Sequence, residues 1–137
     1  MLIDSNILIY SISRRSPKHK SAQKFIQENT GGLEIAHQNI FETLRVLTHN
    51  KFPLPMKIED AIKAVGKITD ACNVISPTYH TFEIAIALIK KHKLARDQVF
   101  DAYLAATALD NGIDTIATDN VKDFDKLVEV KIINPFK

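Results

Sequence analysis

The chain has 137 residues, of which 45% are hydrophobic and 25% charged, and its formal net charge is +2. These are the values of an ordinary globular protein, and we expect a single domain over residues 1–137, since two domains would have little room. The charge is too small to indicate a polyanionic partner by itself. The single cysteine, Cys72, excludes an internal disulfide, which suits a reducing compartment.

The N-terminal segment and the hydropathy pattern indicate where the protein works. No basic region precedes the first apolar run, and Asp4 interrupts that run, which argues against a secretory signal peptide. No stretch reaches the ~18 apolar residues that a membrane span needs. We therefore expect a cytoplasmic protein that does not cross a membrane.

In chain order, the first predicted elements are two strands and two helices. Met1 to Ile3 is a short apolar run that predicts a buried strand, and the apolar residues from Asn6 to Ser13 predict a short helix. Ser16-Pro17 resembles a helix start with the proline at the first helical position, and Gly31-Gly32 predicts the end of that helix. Leu33 to Ala36 predicts the second strand.

The middle of the chain predicts three helices and a third strand. Apolar residues recur at helical spacing from Ile40 to Thr48 and from Ile58 to Ile68, with a proline-containing loop between the two segments. Asn73 to Ile75 predicts a strand. A helix follows, marked by apolar residues from Phe82 to Ile89.

The C-terminal third repeats the alternation. Val99 to Leu109 predicts a helix that stops at Asn111-Gly112, Thr115 to Ala117 a fourth strand, Asp123 to Leu127 one or two helical turns, and Val130 to Ile133 a last strand. Alternating strands and helices predict an α/β protein: a three-layer α/β/α sandwich with a central parallel sheet of four to five strands. Ligand sites in such sheets lie outside the carboxyl ends of the strands.

Acidic and amide side chains follow two of the predicted strands at this edge. Asp4 comes directly after the first strand, and Asp119, Asn120 and Asp123 come after the fourth. Each also has a purely structural explanation, because Asp often caps a helix and Asp or Asn often occupies a turn. Their shared position after strand ends favours a common site.

Asp101 is harder to explain structurally. In the segment VFDAYLAATAL it shares a helix face with Leu104, Ala105 and Ala108. A carboxylate on a buried face needs a cation or several hydrogen-bond donors. The nearest basic residue, Arg96, is off that face, so the pattern favours a functional role for Asp101.

Glu42 completes the set of acids, although by itself it is ambiguous. It borders an apolar helical stripe in HQNIFETLRVL, and Arg45 at i+3 could be a surface ion-pair partner. Together the acids suit Mg²⁺ or Mn²⁺, which prefer oxygen ligands and, in pairs, promote phosphodiester hydrolysis. No Walker loop, dinucleotide fingerprint, nucleophile elbow or HExxH motif offers a competing chemistry.

Three segments resemble the PIN-domain family. MLIDSNILIY is similar to the family's opening strand with its Asp, HQNIFETLRVLT to the helix with its Glu, and VFDAYLAATALDNGIDTIATDNVKDF to its C-terminal signature. Their order and spacing fit over nearly the whole chain. The single-domain form resembles the VapC-type toxins of bacterial and archaeal toxin–antitoxin pairs.

The resemblance implies a magnesium-dependent ribonuclease with a parallel sheet, dimeric and inhibited by a cognate antitoxin. Site residues carry over onto Asp4, Glu42 and Asp101, whereas the fourth acidic position stays open between Asn120, Asp123 and Asp119. Ser5 and Asn6 would orient Asp4. The implied catalytic residues are Asp4, Glu42, Asp101 and Asp123, and the implied metal ligands are Asp4, Asp101, Asp119, Asn120 and Asp123.

Basic residues give weaker predictions. Arg14 and Arg15 follow the first strand and helix and are the better candidates for RNA phosphate contacts, although such runs are often solvated helix ends. Two alternatives stay open: a metal-dependent DNA nuclease, and an inactive PIN-like module that binds RNA or protein. The sequence does not separate a toxin from an RNA-processing enzyme.

Overall fold

The computed structural model describes residues 1–137, and it contains five strands and six α-helices. The strands are β1 (Leu2–Ile3), β2 (Glu34–Ala36), β3 (Asn73–Ile75), β4 (Thr115–Ala117) and β5 (Lys131–Ile133). The helices are α1 (Ser5–Ile12), α2 (His19–Glu28), α3 (His37–Thr48), α4 (Ile58–Thr69), α5 (Thr81–His92) and α6 (Gln98–Asp110), and a 3₁₀ turn spans Val121–Phe124. No helix is both long and apolar enough to span a membrane.

All strands pair in parallel, in the order β3-β2-β1-β4-β5. The central strand β1 aligns Leu2 with Ile116 and Ile3 with Ala117 of β4. The Asp4 backbone N–H extends this pairing by donating to the Ala117 carbonyl at 2.9 Å. Asp4 is thereby fixed at the carboxyl end of the middle strand, beside the end of β4.

Alternation along the strands divides the core between the two faces of the sheet. Leu2 and Ile116 pack with residues of α5 and α6 on one face. Ile3 and Ala117 pack with residues of α1 and α2 on the other. A third cluster joins α3 to α4. The predicted α/β architecture with a parallel sheet is confirmed, and both of its faces are covered.

Three details differ from the sequence predictions. The second helix begins at His19 rather than at Pro17, because Ser16 forms a turn in which its Oγ accepts from the Lys18 N–H at 3.1 Å. The C-terminal helical turn is shorter, Val121–Phe124 instead of Asp123 to Leu127. On α5, Phe82 is 70% exposed. The side chains of α5 that are buried are instead Thr81, Ala85 and Leu88.

Candidate active site

Asp4 is both a helix cap and a site residue. Its Oδ1 accepts from the Ser5 N–H at 2.7 Å, which caps α1. Its Oδ2 accepts from Thr118 Oγ1 at 2.8 Å and from Asn6 Nδ2 at 3.2 Å. The two interpretations of Asp4 are therefore compatible, since the donors on both oxygens hold the carboxylate in one orientation.

Thr118 joins the segments that follow β1 and β4. This residue is buried, and besides donating to Asp4 its Oγ1 accepts from Asn6 Nδ2 and from the Asn120 N–H, each at 3.0 Å. Asn6 Oδ1 in turn accepts from the Asp119 N–H at 3.2 Å. Thr118 was not among the predicted site residues, although its position directly after a predicted strand was a signal that could have identified it.

Glu42 reaches the same place from α3. Ser5 Oγ donates to Glu42 Oε2 at 2.7 Å, and Asn39 Nδ2 lies 3.3 Å from Ser5 Oγ. Ser5 therefore contacts Asp4 through its backbone and Glu42 through its side chain. Asn39 also accepts from the Ala36 N–H at 3.1 Å, in the first turn of α3, a capping contribution that the sequence analysis missed.

Gln38 links Glu42 to the start of α6. Its Nε2 donates to Glu42 Oε1 and to the Phe100 carbonyl, each at 3.1 Å. Its Oε1 is buried and has no hydrogen-bond partner. Buried acceptors of this kind are rare because leaving them unpaired is costly.

The carboxyl group of Asp101 lies within electrostatic range of several other carboxylates. Burial raises the pKa of Asp101 from its ordinary 3.8 to about 7, and the negative charges of Asp123, Asp4 and Glu42 add to the rise. Burial also raises the pKa of Asp4, against the opposing hydrogen bonds from Thr118 and Ser5. Burial first and neighbouring negative charge second therefore disfavour the ionised form of both carboxyl groups, and a bound cation would stabilise that form.

The Asp119 side chain pairs with groups outside the carboxylate cluster, and Asn120 contacts Thr118 through its backbone N–H. The Asp119 carboxylate pairs with the Lys18 ammonium and accepts from the Tyr10 hydroxyl at 3.0 Å. Burial raises the pKa of Asp119, but the hydrogen bonds from Lys18 and Tyr10 outweigh it and lower the pKa. Among the three residues of the open fourth position, Asp123 is the one whose charge acts on both Asp4 and Asp101.

A cavity of about 480 Å³ opens beside these acids. Arg45 forms no salt bridge with Glu42, so the surface ion pair considered from the sequence is not present. Arg14 and Arg15 are exposed and do not border the cavity. The residues that line it are Glu42, Arg45, Asp97, Phe100 and Asp101, of which Arg45, Asp97 and Phe100 were not predicted as site residues.

The side chains present fit a hydrated divalent cation. No three His, Cys, Asp or Glu side chains are arranged to hold an ion by themselves. Magnesium commonly takes only one or two carboxylates and keeps several waters. Burial beside other carboxylates raises the pKa of Asp101 to about 7, and a cation bound there would stabilise the ionised form of this side chain.

A parallel α/β sandwich with clustered carboxylates at the carboxyl edge of its sheet defines a class of proteins that bind their ligand at that edge. Residues 1–129 match the PIN domain. The chain therefore belongs to the PIN-domain family, as its three motifs indicated.

A ribonuclease and two solved toxin structures are similar to this chain. Ribonuclease VapC24 of Mycobacterium tuberculosis is 28% identical over 127 residues, which cover 89% of this chain and 87% of the relative. A toxin–antitoxin complex from Klebsiella pneumoniae has a TM-score of 0.71 at 22% identity, with 99% and 98% of the two chains covered. VapC20 of Mycobacterium tuberculosis, a toxin that cleaves the sarcin–ricin loop, has a TM-score of 0.68 at 17% identity over 94% and 97%. The two structures show a shared fold.

Proposed function

We propose that this chain is a metal-dependent endoribonuclease, the toxin of a type II toxin–antitoxin pair, built as one PIN-like domain over residues 1–137. The observation that carries the proposal is the carboxylate cluster around Asp101, whose pKa is raised to about 7. Family membership and a similar ribonuclease support RNA as the substrate. Mg²⁺ or Mn²⁺ is the proposed cofactor.

Asp4, Asp101 and Asp123 are the residues that would hold the cation, in part through the waters that it keeps. When bound, it would activate a water and stabilise the leaving oxygen of the phosphodiester. The chain's own contribution is orientation: Thr118 and Asn6 hold one oxygen of Asp4. In our proposal Asp119 supports the site through its backbone N–H and its pairing with Lys18.

Glu42 is placed to handle protons. Ser5 donates to one of its oxygens and Gln38 to the other, so the carboxylate has a defined orientation toward the cavity that it lines. General acid–base groups need such positioning within hydrogen-bond reach of the proton they move. We assign Glu42 that role, and we assign the metal to the neighbouring aspartates.

The proposed partners are an RNA substrate, a cognate antitoxin and a second copy of this chain, and the proposed location is the cytoplasm. A similar fold in a toxin–antitoxin complex supports the antitoxin. Arg14 and Arg15 remain proposed contacts to RNA phosphates outside the cavity, where their charge would still attract a polyanion.

Replacing Asp101 by Asn tests the proposal directly. We expect Asp101→Asn to lower cleavage of a labelled single-stranded RNA in Mg²⁺ or Mn²⁺ at least ~100-fold, because a carboxylate that would hold the cation is removed. Asp60→Asn is the matched control, since Asp60 is an exposed helical acid outside the cavity.

The same assay with single-stranded DNA separates the alternatives. Cleavage of DNA in preference to RNA would favour a DNA nuclease. Binding of RNA without cleavage in either metal would favour an inactive binding module. Full activity in Asp101→Asn would contradict the assigned site.

A further inference from the structure

One wall of the acidic cavity is formed by an aromatic and a basic side chain. Phe100 is 62% exposed, which is unusual for a phenylalanine in the first turn of a helix that is otherwise largely buried. The residue that follows it, Asp101, belongs to the carboxylate cluster. The Phe100 ring is therefore a solvent-facing apolar surface at the edge of the proposed catalytic centre.

Arg45 lies at the same cavity and has no acidic partner. It lines the cavity with Glu42, Asp97 and Asp101, yet its guanidinium forms no salt bridge. A guanidinium presents a planar set of donors that matches the oxygens of a phosphate. A free arginine among carboxylates is thus suited to an anion that approaches the cluster.

We propose that Phe100 and Arg45 form a nucleotide-binding subsite, in which a base of single-stranded RNA stacks on Phe100 while Arg45 pairs with a phosphate next to the one that is cut. This deepens, and rests on, the proposed ribonuclease function. Proteins recognise single-stranded RNA through bases stacked on aromatic side chains together with backbone contacts from basic ones.

The dimensions of the cavity, and the presence of an aromatic ring and a guanidinium in its lining, favour RNA over a protein partner at this wall. A cavity of about 480 Å³ is of the size that holds small-molecule ligands. Phe100 also borders a smaller apolar cavity of about 170 Å³ with Phe82 and Tyr103. A protein surface would cover that second cavity and need not engage Arg45, whereas a nucleotide uses the ring and the guanidinium together.

The subsite also favours an unpaired strand. Stacking on Phe100 requires a base that is free of its neighbours, because the base of a duplex is already stacked on both sides. We therefore expect the enzyme to prefer RNA that is single-stranded around the cleavage site over a duplex of the same sequence.

The test compares RNA with an abasic ribose–phosphate oligomer of equal length. Both are fluorescein-labelled, and binding is measured by anisotropy without divalent metal so that no cleavage occurs. Phe100→Ala should weaken the binding of RNA about 5- to 150-fold, the range expected for one stacked base, and leave the abasic oligomer unaffected. Arg45→Gln should weaken both probes and reduce the salt dependence by about one phosphate contact.

Control variants separate stacking from folding. Phe100→Trp should restore RNA binding, since indole also stacks. Phe82→Ala should leave it unchanged, because Phe82 is another exposed phenylalanine that does not line the acidic cavity. In cleavage assays Phe100→Ala should raise KM more than it lowers kcat. Circular dichroism should show the same helix content in all variants.

The outcomes distinguish the subsite from the ribonuclease function. If the wild type cleaves RNA but Phe100→Ala binds both probes as the wild type does, the subsite is wrong and the function stands. If the binding pattern holds but no RNA is cleaved, the subsite stands and the function fails. A change of oligomeric state in Phe100→Ala without base-dependent loss of binding would assign this wall to a protein interface and overturn the proposal.

Discussion

The Asp101 side chain occupies a position that suits a cation ligand but makes its ionised form unfavourable in the metal-free fold. It lies half-buried on an alanine-rich helix, and both its burial and its neighbours Asp123, Asp4 and Glu42 favour the protonated form. Without a cation the folded chain therefore carries a cost at this residue whenever the carboxyl group is ionised.

The pH dependence of stability should reveal this cost. The pKa of Asp101 is raised from 3.8 to about 7 in the folded chain, so the stabilisation it provides is complete below about pH 4 and is lost as the pH rises toward 7. In metal-free protein we expect Asp101→Asn to remove that loss and to be more stable than the wild type at neutral pH. The gain should be roughly 1–2 kcal/mol, since the group is half exposed and screened.

Urea unfolding between pH 4 and pH 8 in the presence of a chelator would measure it. Asp60→Asn, which removes one negative charge from an exposed position on α4, should keep the wild-type slope. If Asp101→Asn lost as much stability between pH 4 and pH 8 as the wild type does, the assignment to Asp101 would be contradicted.

The fourth acidic position yields a second prediction at this scale. Asp123 acts electrostatically on Asp4 and Asp101, whereas the Asp119 carboxylate is paired with Lys18 and Tyr10. We expect Asp123→Asn to weaken Mn²⁺ binding strongly and Asp119→Asn to weaken it only ~10–100-fold, as an indirect support does. Calorimetric titration of each variant would decide, and the reverse ranking would show that Asp119 is the ligand.

The sequence predicted some site residues and not others, for a physical reason. Asp4 could be predicted from the sequence because a single rule, that ligands bind at strand ends, applies to one short segment. The pairing of Asp119 with Lys18 could not be predicted, because those residues are 101 positions apart and their contact depends on where α2 begins. Thr118 and Gln38 were missed because uncharged polar residues resemble ordinary turn and helix residues until their partners are known.

At the scale of elements, apolar runs and helical periodicity predicted the strands and helices, and the errors concern where a helix begins and which of its faces is buried. The α5 helix shows this, because its largest apolar residue, Phe82, points outward while Ala85 and Leu88 are buried. A pattern of apolar residues indicates that a helix forms, but not which face a small-residue neighbour such as α6 will select. The late start of α2 likewise depends on a local Ser16 turn.

The 3₁₀ turn after β4 should be the most sensitive element of the site. It places Asp123, and its anchor is the neighbouring Phe124, a large side chain that is buried in the core. We expect Phe124→Ala to lower the free energy of unfolding by ~3–5 kcal/mol, the usual cost of such a cavity. Metal affinity should fall as well, since Asp123 would lose its fixed position.

Urea unfolding and Mn²⁺ titration of the same preparations would measure both effects. Phe41→Ala is the matched control, because that phenylalanine is 68% exposed, and surface changes usually stay within about 0.5 kcal/mol. If Phe124→Ala lost stability but kept the wild-type metal affinity, the turn would not be what positions Asp123.

At the scale of the whole molecule, the fold leaves apolar side chains on its surface. On α4, Ala61 and Val65 face the core, while Ile58 is 46% exposed and Ile62 54% exposed. Exposed apolar residues that cluster on one element commonly mark an association surface. The apolar residues of α4 are therefore more numerous than the core of one copy buries.

We expect a homodimer closed through this helix, since identical subunits most often associate around a two-fold axis. Light scattering at tens of micromolar should give twice the mass of the chain, and Ile62→Lys should shift it to the monomer by burying a charge. Tyr79→Lys, an exposed position outside α4, should remain dimeric. A monomeric wild type would contradict the prediction.

The hydrogen bond from Thr118 to Asp4 spans 114 positions of the chain, and this has a consequence for synthesis. Domains generally fold as units while the chain is still emerging, with the N-terminal part available first. Here the first strand stays without its β4 neighbour until the last segments are made. A chain that terminates before β4 lacks Thr118 and Asp123 as well as that strand, so it cannot complete the acid cluster. Nascent and truncated products are thus expected to be inactive, and only full-length molecules are expected to cleave RNA.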